Sequence, residues 1–408
     1  MSKDGRARYT LAVTALLLAM PALGQAIDDI PFDRESEAKL RCWYDRPSAD
    51  DPLATRYVIA DDFVLRGHWR GVSNVRDSAL FFTLQEPEEA TEACRKTLAA
   101  RGLRASGHNT AIATDLGYNY QVWYDGEIAS RRGKTLDRMV SFGDSLSDTG
   151  NIYHESFWTF PNHEGWYLGR FSDGRVWTEY LAARSGLPLN TWAIGGAQTD
   201  TAFGVIPSLE EQVSSFLGYV RQQLNRYDPE RTLFTVWIGA NDLANGGRTF
   251  HDILRDEERA LRKLIDAGAR RVILVSLPDI SRTPAFRHRA DEGAAAGKEA
   301  RRYNEGLVTL ASLLAEESGA ELIVVDAWSR FNEILDEPER FGLVETQRPC
   351  LDLGSGFGSI DYLKPQRLRA DCDRSRTMFW DFLHPTTRMH SLVAEWVAAS
   401  TPRAWDLR

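Results

Sequence analysis

One serine in this chain stands where a nucleophile would stand, in Met139-Val140-Ser141-Phe142-Gly143-Asp144-Ser145-Leu146-Ser147-Asp148-Thr149-Gly150-Asn151. Val140 and Phe142 give the apolar alternation of a short strand, Gly143 permits a sharp turn, and Asp144 can cap a helix beginning at Ser145. At such a helix start, free backbone N–H groups and the positive end of the dipole favour an alkoxide or a tetrahedral oxyanion. The position therefore suits acyl transfer, although Gly-Asp-Ser also occurs in ordinary turns.

A serine hydroxyl is a poor nucleophile at neutral pH. It needs a neighbouring base, and that base needs a partner to fix its tautomer and stabilise its positive form. Asp381-Phe382-Leu383-His384-Pro385 offers both: a carboxylate and an imidazole three residues apart on a turn, with Pro385 suited to open a helix through Thr386 to Ser400. The oxyanion needs donors too. Asn190-Thr191-Trp192-Ala193-Ile194-Gly195-Gly196-Ala197 reads as a strand end and a glycine turn that can aim an N–H into a site. Phe234-Thr235-Val236-Trp237-Ile238-Gly239-Ala240-Asn241-Asp242 reads as a buried strand ending in Gly and Asn.

These four segments, in this order, resemble the serine esterases of the SGNH superfamily, the GDSL lipases. Ser145, Gly196, Asn241 and His384 match the residues that name the family's four blocks, and Asp381 matches the third member of its triad. The resemblance spans about residues 137 to 400. It includes Asp148, Asn151 and the stretch Gly169-Arg170-Phe171-Ser172-Asp173-Gly174-Arg175-Val176-Trp177. It implies a catalytic triad of Ser145, His384 and Asp381, and an oxyanion hole made by the Ser145 and Gly196 backbone N–H groups and the Asn241 amide. Losing one such donor costs about 3 to 4 kcal/mol of barrier, so Asn241→Ala is expected to lose two to three decades of turnover while remaining folded.

Each assignment has a structural rival. Gly196 could merely close a turn, and Asn241-Asp242 could cap the next segment. Of the eight histidines, His384 alone has an Asp three residues upstream beside a helix start. His68, His108, His154, His163, His251, His288 and His390 are read as structural or unassigned. Asp148, Asn151 and Asp242 are read as organising loops rather than as taking part in chemistry.

With 408 residues and 43% hydrophobic content, the chain can bury substantial cores, and its length suits two domains. Lys3, Arg6 and Arg8 precede the apolar run Leu11 to Leu23, and Gly24-Gln25-Ala26 offers small residues for cleavage, so residues 1–26 read as a secretory signal peptide. An uncleaved anchor is the rival, but the run is short for a bilayer. Removing that leader takes away a net two positive charges from a chain already at −9. Such an acidic protein is not built for nucleic acid, and lipid contact would have to rely on apolar and aromatic surface. Localisation is expected to be secreted or periplasmic.

Four cysteines in an exported chain point to two disulfides, with three pairings open; proximity favours Cys42–Cys94 and Cys350–Cys372. Zinc is the alternative, but there is no CxxC or paired His spacing, and no cofactor is implied. A Cys350–Cys372 bridge would close a Gly-rich, basic loop from Leu351 to Asp371 just ahead of Asp381, and this loop is expected to cover or shape the site.

Residues 27–130 read as a strand-rich accessory domain. Aromatic and β-branched runs occur at Tyr57–Ala60, Phe63–Trp69, Ala79–Leu84 and Tyr118–Tyr124, with one helix over Glu88–Ala100. Ser130-Arg131-Arg132-Gly133-Lys134 reads as the linker, giving 131–136 as connector and 137–408 as the hydrolase domain. There strands at Met139–Phe142, Thr191–Ile194, Leu233–Ile238, Arg271–Leu277 and Leu322–Val325 alternate with helices at Pro207–Gln223, Asp252–Ala267 and Lys298–Glu317. That alternation predicts an α/β fold with a parallel five-stranded sheet covered on both faces, and the resemblance makes it a flavodoxin-like three-layer sandwich.

An exported GDSL enzyme with a strand-rich extension is similar to the bacterial thermolabile haemolysin and secreted phospholipase group, relatives of the glycerophospholipid-cholesterol acyltransferases. The implied substrates are phospholipids, lysophospholipids or other acyl esters, with acyl transfer and peripheral membrane contact as further expectations. Aromatics crowd the segment Tyr153–Tyr180; they could line an acyl channel or simply pack beneath a long loop. Two other classes stay open: an exported esterase for small or carbohydrate esters, and a non-enzymatic lytic or adhesive protein.

Overall fold

The computed structural model describes residues 36–45, 55–70, 80–104, 111–114, 121–126, 128–156, 158–202, 206–221, 227–245, 247–287, 289–354 and 358–407. The expected signal peptide, residues 1–26, lies outside the described residues, as do His108 and His288.

The amino-terminal part holds β1 (Ser36–Asp45), β2 (Thr55–Arg70), β3 (Leu80–Thr83), helix α1 (Pro87–Ala100), β4 (Ala111–Thr114) and β5 (Gln121–Tyr124). They form one sheet in the order β4-β1-β2-β3-β5, antiparallel except for the parallel β3–β5 pair. The two runs expected at 57–60 and 63–69 are one long strand, which pairs with β1 across an irregularity between Lys39 and Arg41. Strand β1, Ser-Glu-Ala-Lys-Leu-Arg-Cys-Trp-Tyr-Asp, carries too many charges to announce itself. Its Ala38, Leu40 and Cys42 nevertheless point to one face, where they are buried with Cys94 and Leu98 of α1. Cys42 and Cys94 are joined as a disulfide, as are Cys350 and Cys372.

The second sheet contains β6 (Arg138–Gly143), β7 (Leu189–Thr191), β8 (Thr232–Trp237), β9 (Arg271–Val275) and β10 (Glu321–Val325). All pairs are parallel, in the order β10-β9-β8-β6-β7. This is the flavodoxin-like order, with its reversal between β6 and β8, and ligands of such sheets bind outside the strand C-termini at that crevice. The helices are α2 (Asn151–Glu155), α3 (Trp177–Ser185), α4 (Leu209–Arg221), α5 (Ala240–Asn245), α6 (Phe250–Asp266), α7 (Ala290–Ser318), α8 (Ala327–Asp336) and α9 (Thr387–Ser400).

Strand pleating sorts the core into two layers. Val140, Phe142, Phe234, Val236, Val272 and Leu274 pack towards α4, α6 and α7. Met139, Leu233, Ile273 and Val275 pack towards α3, α8 and α9. Helix α6 shows how local sequence sets these elements: Thr249 and Asp252 form a reciprocal capping box, and Ile253, Ala260, Leu261, Leu264 and Ile265 make its buried stripe.

Three expectations need correction. Asp144 does not start a helix at Ser145. Its carboxylate accepts from Leu146 N, and its carbonyl accepts from Ser147 N and Asp148 N, which makes a single turn that ends at Gly150 (φ +113°) before α2. Strand β7 ends at Thr191 rather than running to Ile194, because the following residues swing over the end of β6, where Ile194 N donates to Gly143 O. Helix α7 begins at Ala290, two turns before Lys298, since small residues at Gly293, Ala296 and Gly297 let it pack against Phe286 and Ser281. In addition, the basic stretch near residue 131 is no loose tether. Arg131 is buried, and its guanidinium donates to Leu136 O at 2.9 Å and Ser185 O at 2.6 Å.

Candidate active site

The site is assembled at the C-terminal ends of β6 and β8. Gly143 and Trp237 are register partners there, and a Cβ at Gly143 would lie 2.2 Å from Trp237 O. Only glycine permits this approach, so the chain can turn at φ +145° and present Ser145 directly above the sheet.

Ser145 Oγ lies 2.8 Å from His384 Nε2, and His384 Nδ1 lies 2.9 Å from both carboxylate oxygens of Asp381. Asp381 is fully buried, while Ser145 and His384 are each 7% exposed. The Asp381–His384 turn closes on itself: Leu383 N and His384 N donate to Asp381 Oδ1 at 2.9 and 2.8 Å. Trp166 Nε1 and the Tyr362 hydroxyl donate to Oδ2 at 3.1 and 3.2 Å. Burial alone would raise the Asp381 carboxyl, but the His384 imidazole and these turn N–H groups hold it below the usual carboxylate range. Below the turn, Thr386 caps α9. Ser172 Oγ donates to Pro385 O, and Thr387 N donates to Asp173 Oδ1, so the stretch 169–177 anchors the histidine turn.

Gly196 and Asn241 stand on the opposite side. Gly196 adopts φ +82°. Its neighbour Gly195 donates to Asp148 Oδ2 at 2.7 Å, while Asn241 Nδ2 donates to Ala197 O at 3.0 Å, leaving the second amide hydrogen of Asn241 uncommitted to that bond. Among the described residues, the Ser145 and Gly196 N–H groups have no acceptor.

Two buried carboxylates staple these loops together. Asp148 accepts from the N–H groups of Gly150, Asn151, Ile152 and Gly195, joining the Ser145 loop to the glycine loop. Asp242 accepts from Thr199 N and Oγ1 and pairs with Arg248 Nε at 2.9 Å, joining the glycine loop to the asparagine loop. Burial pushes both up to about 6, against those donors, and pushes Asp144 up to about 7. His390 is also buried and plays a packing part: its Nδ1 accepts from Trp177 N, and burial lowers it to about 3.

A pocket of about 90 Å³ opens beside Ser145, Asn241 and His384. Its walls include Met389 and Trp396 on the helix expected from Thr386 to Ser400, together with Ile280, Phe286, Phe331 and Phe379 from segments that the sequence reading did not single out. Among the described residues, none of the aromatics between Tyr153 and Tyr180 lines this pocket. Trp166 and Phe171 pack with Tyr362 behind the histidine, where Phe171 lies 4.8 Å from the imidazole. The loop closed by Cys350–Cys372 thus reaches the site through Tyr362, whose backbone also accepts from Asn162 N. Tyr362 carries no signal along the chain, because nothing local distinguishes it from other loop tyrosines.

Residues 139–397 match the family described as GDSL-like Lipase/Acylhydrolase, and residues 25–125 match the one described as Vibrio dual lipase/transferase, N-terminal domain. The chain is 33% identical over 384 residues to the thermolabile hemolysin of Vibrio parahaemolyticus, covering 92% of this chain and 90% of that protein. It is 30% identical over 305 residues to the phosphatidylcholine-sterol acyltransferase of Aeromonas hydrophila, covering 64% and 88%. With its fold, its sheet-end crevice and these matches together, the chain belongs to the GDSL-like lipase/acylhydrolase family and is an ester hydrolase.

Proposed function

We propose that this protein cleaves acyl esters of phospholipids and lysophospholipids, with Ser145 as nucleophile, His384 as general base and Asp381 as the group that orients the imidazole and stabilises its protonated form. The carrying observation is the unbroken relay from Asp381 through His384 to Ser145 Oγ at the mouth of an apolar pocket. His384 Nε2 takes the hydroxyl proton as Oγ attacks the ester carbonyl, and Nδ1–H stays on Asp381. The tetrahedral oxyanion is met by the Ser145 and Gly196 N–H groups and the Asn241 amide. His384 then returns the proton to the leaving lyso-alcohol. Water, or an acceptor hydroxyl such as that of a sterol, attacks the acyl-serine in the second half.

The apolar walls suit an acyl chain, since each buried methylene contributes about 0.8 kcal/mol. Leu383, 39% exposed at the pocket rim, supports peripheral contact with a lipid surface. The name of the Aeromonas relative, a phosphatidylcholine-sterol acyltransferase, and the dual lipase/transferase description of the amino-terminal family support the lipid and transferase parts of this reading. On it, residues 1–26 are an export signal, 27–130 an accessory domain, 131–136 a connector and 137–408 the hydrolase, with the protein secreted or periplasmic. Among the described residues no helix is long and apolar enough to cross a membrane.

The test is to incubate wild type and Ser145→Ala with phosphatidylcholine, its lyso form and a sterol, and to identify the lipid products. Free fatty acid and sterol ester from wild type alone are expected. Turnover of short esters with no lipid product would remove the phospholipid assignment.

A further inference from the structure

Gln121 begins β5 in the amino-terminal sheet, yet its side-chain hydrogen bonds cross to the hydrolase sheet. Its Oε1 accepts from Thr191 N at 2.9 Å, and its Nε2 donates to Thr191 O at 3.2 Å. The carboxamide therefore pairs with β7 as another strand residue would, on the outer edge of a sheet whose last strand is only three residues long. The same Nε2 lies 3.3 Å from Asn151 Oδ1 and 3.5 Å from Thr149 Oγ1, in the nucleophile loop.

Those contacts converge on the parts that must stay in register. Asn151 Nδ2 donates to Thr191 O and Ala193 O at 2.9 and 2.8 Å, tying the nucleophile loop to the strand that delivers Gly195 and Gly196. With Gln121 on its Oδ1, the Asn151 carboxamide is fixed as donor to that strand. The rest of β5 follows the same edge. Asn190 Nδ2 donates to Val122 O at 3.3 Å, Arg138 Nη2 donates to Tyr124 O at 2.8 Å, and the Arg138 guanidinium lies 4.5 Å over the Trp123 ring. Leu80, Phe82 and Trp123 are buried in the same core as Phe142, Phe216 and Phe234. The amino-terminal sheet thus presents one face to its own helix and the other to the hydrolase.

We propose that the amino-terminal domain is a working part of the catalytic centre, with Gln121 as a positioning residue that holds the nucleophile loop and the glycine loop in mutual register. It touches no reacting atom and acts through Asn151 and Thr191. The inference rests on the acyl-transfer reading of Ser145.

The test uses the full chain and a soluble ester, p-nitrophenyl butyrate, so that lipid binding cannot enter. Gln121→Glu keeps the shape but replaces the donor, and Gln121→Ala removes both bonds. Turnover is expected to fall about tenfold or more with KM within about twofold, because small displacements of positioned groups act on the barrier rather than on ground-state binding. The rate at which diethyl p-nitrophenyl phosphate inactivates Ser145 should fall in parallel. Trp123→Phe is the control: it loosens the same domain contact without altering the carboxamide, and should lower Tm while leaving turnover within about twofold, since packing loss alone acts on stability. Wild-type turnover in folded Gln121 variants overturns the proposal. So does loss that merely tracks the folded fraction, including failure of both variants to fold while Trp123→Phe stays active. A wild-type chain inert towards both this ester and the lipids would instead defeat the function proposed above.

Discussion

Two fully buried carboxyls in this chain are treated in opposite ways. Asp381 lies among four N–H or O–H donors besides the imidazole, and it is held below the usual carboxylate range. Glu257 on α6 accepts from the Tyr303 hydroxyl of α7 at 2.6 Å, a single neutral donor, and burial pushes it up to about 7. Burial is common to both, so it does not decide charge. What separates them is the imidazole: His384 beside Asp381 favours the ionised form and the turn N–H groups add to it, whereas four N–H donors at Asp148 still leave that carboxyl pushed up to about 6. In the mechanism proposed above Asp381 acts in its charged form, and the fold places the imidazole and the turn N–H groups beside it. The Ser145 and Gly196 N–H groups, among the described residues, are left without protein acceptors where a charge would arise only in passing.

The largest effect should come from breaking the Asp381 side of this contrast. Asp381→Asn keeps the shape but favours the wrong imidazole tautomer, and is expected to cost about four decades of turnover with the fold retained. Steady-state kinetics on a soluble ester together with far-UV CD check this, and a loss below tenfold would deny Asp381 its proposed part.

Glu257→Gln examines the other side through stability. A carboxyl whose folded value is raised from 4.5 to about 7 contributes stability that is fully present below 4.5 and is lost as pH rises through about 7. The glutamine retains an acceptor for Tyr303 and does not titrate. Its stability relative to wild type should therefore grow with pH, by on the order of 3 kcal/mol across that window, since a tenfold change in proton affinity is about 1.4 kcal/mol. Denaturant midpoints measured on both sides of neutrality decide it; parallel curves would mean that Glu257 is not the titrating group.

Tyr362→Phe removes a single donor from Asp381 and should have the smallest effect, a few-fold in turnover, as expected when one of several hydrogen bonds to a charged group is lost. Since the folded Asp381 value is depressed, its contribution to stability is present above 3.8 and is lost as pH falls through the lower folded value. Without the hydroxyl that loss should begin at a higher pH. Identical acid-denaturation curves for the two proteins would show that the hydroxyl does not bear on the charge.

Much of the scaffold is legible locally. The runs at 139–142, 233–238, 271–277 and 322–325 are apolar enough to be buried parallel strands, and the observed strands overlap all four. The residues proposed for the site sit in short turns with telling composition, and Ser145, Asn241 and His384 share one pocket wall. Less visible are β1, whose charges mask its alternation, and α7's first turns, where glycines that weaken a helix are tolerated for close packing. The turn after Ser145 departs from the expected helix because a cap residue can equally close a single turn.

Neighbouring residues suffice to specify the elements, the order of the four segments and the residue types that acyl transfer requires, because strand burial, turn formation and nucleophile chemistry are all short-range properties. Which groups meet is a matter of the folded chain alone. Trp166 reaches Asp381 across 215 positions, Gln121 reaches Thr191 across 70, and the pocket walls come from several separate segments. Such contacts have no period along the chain. They arise from how two layers of helices and a second sheet close over strand ends, so they exist only after packing has brought distant segments together.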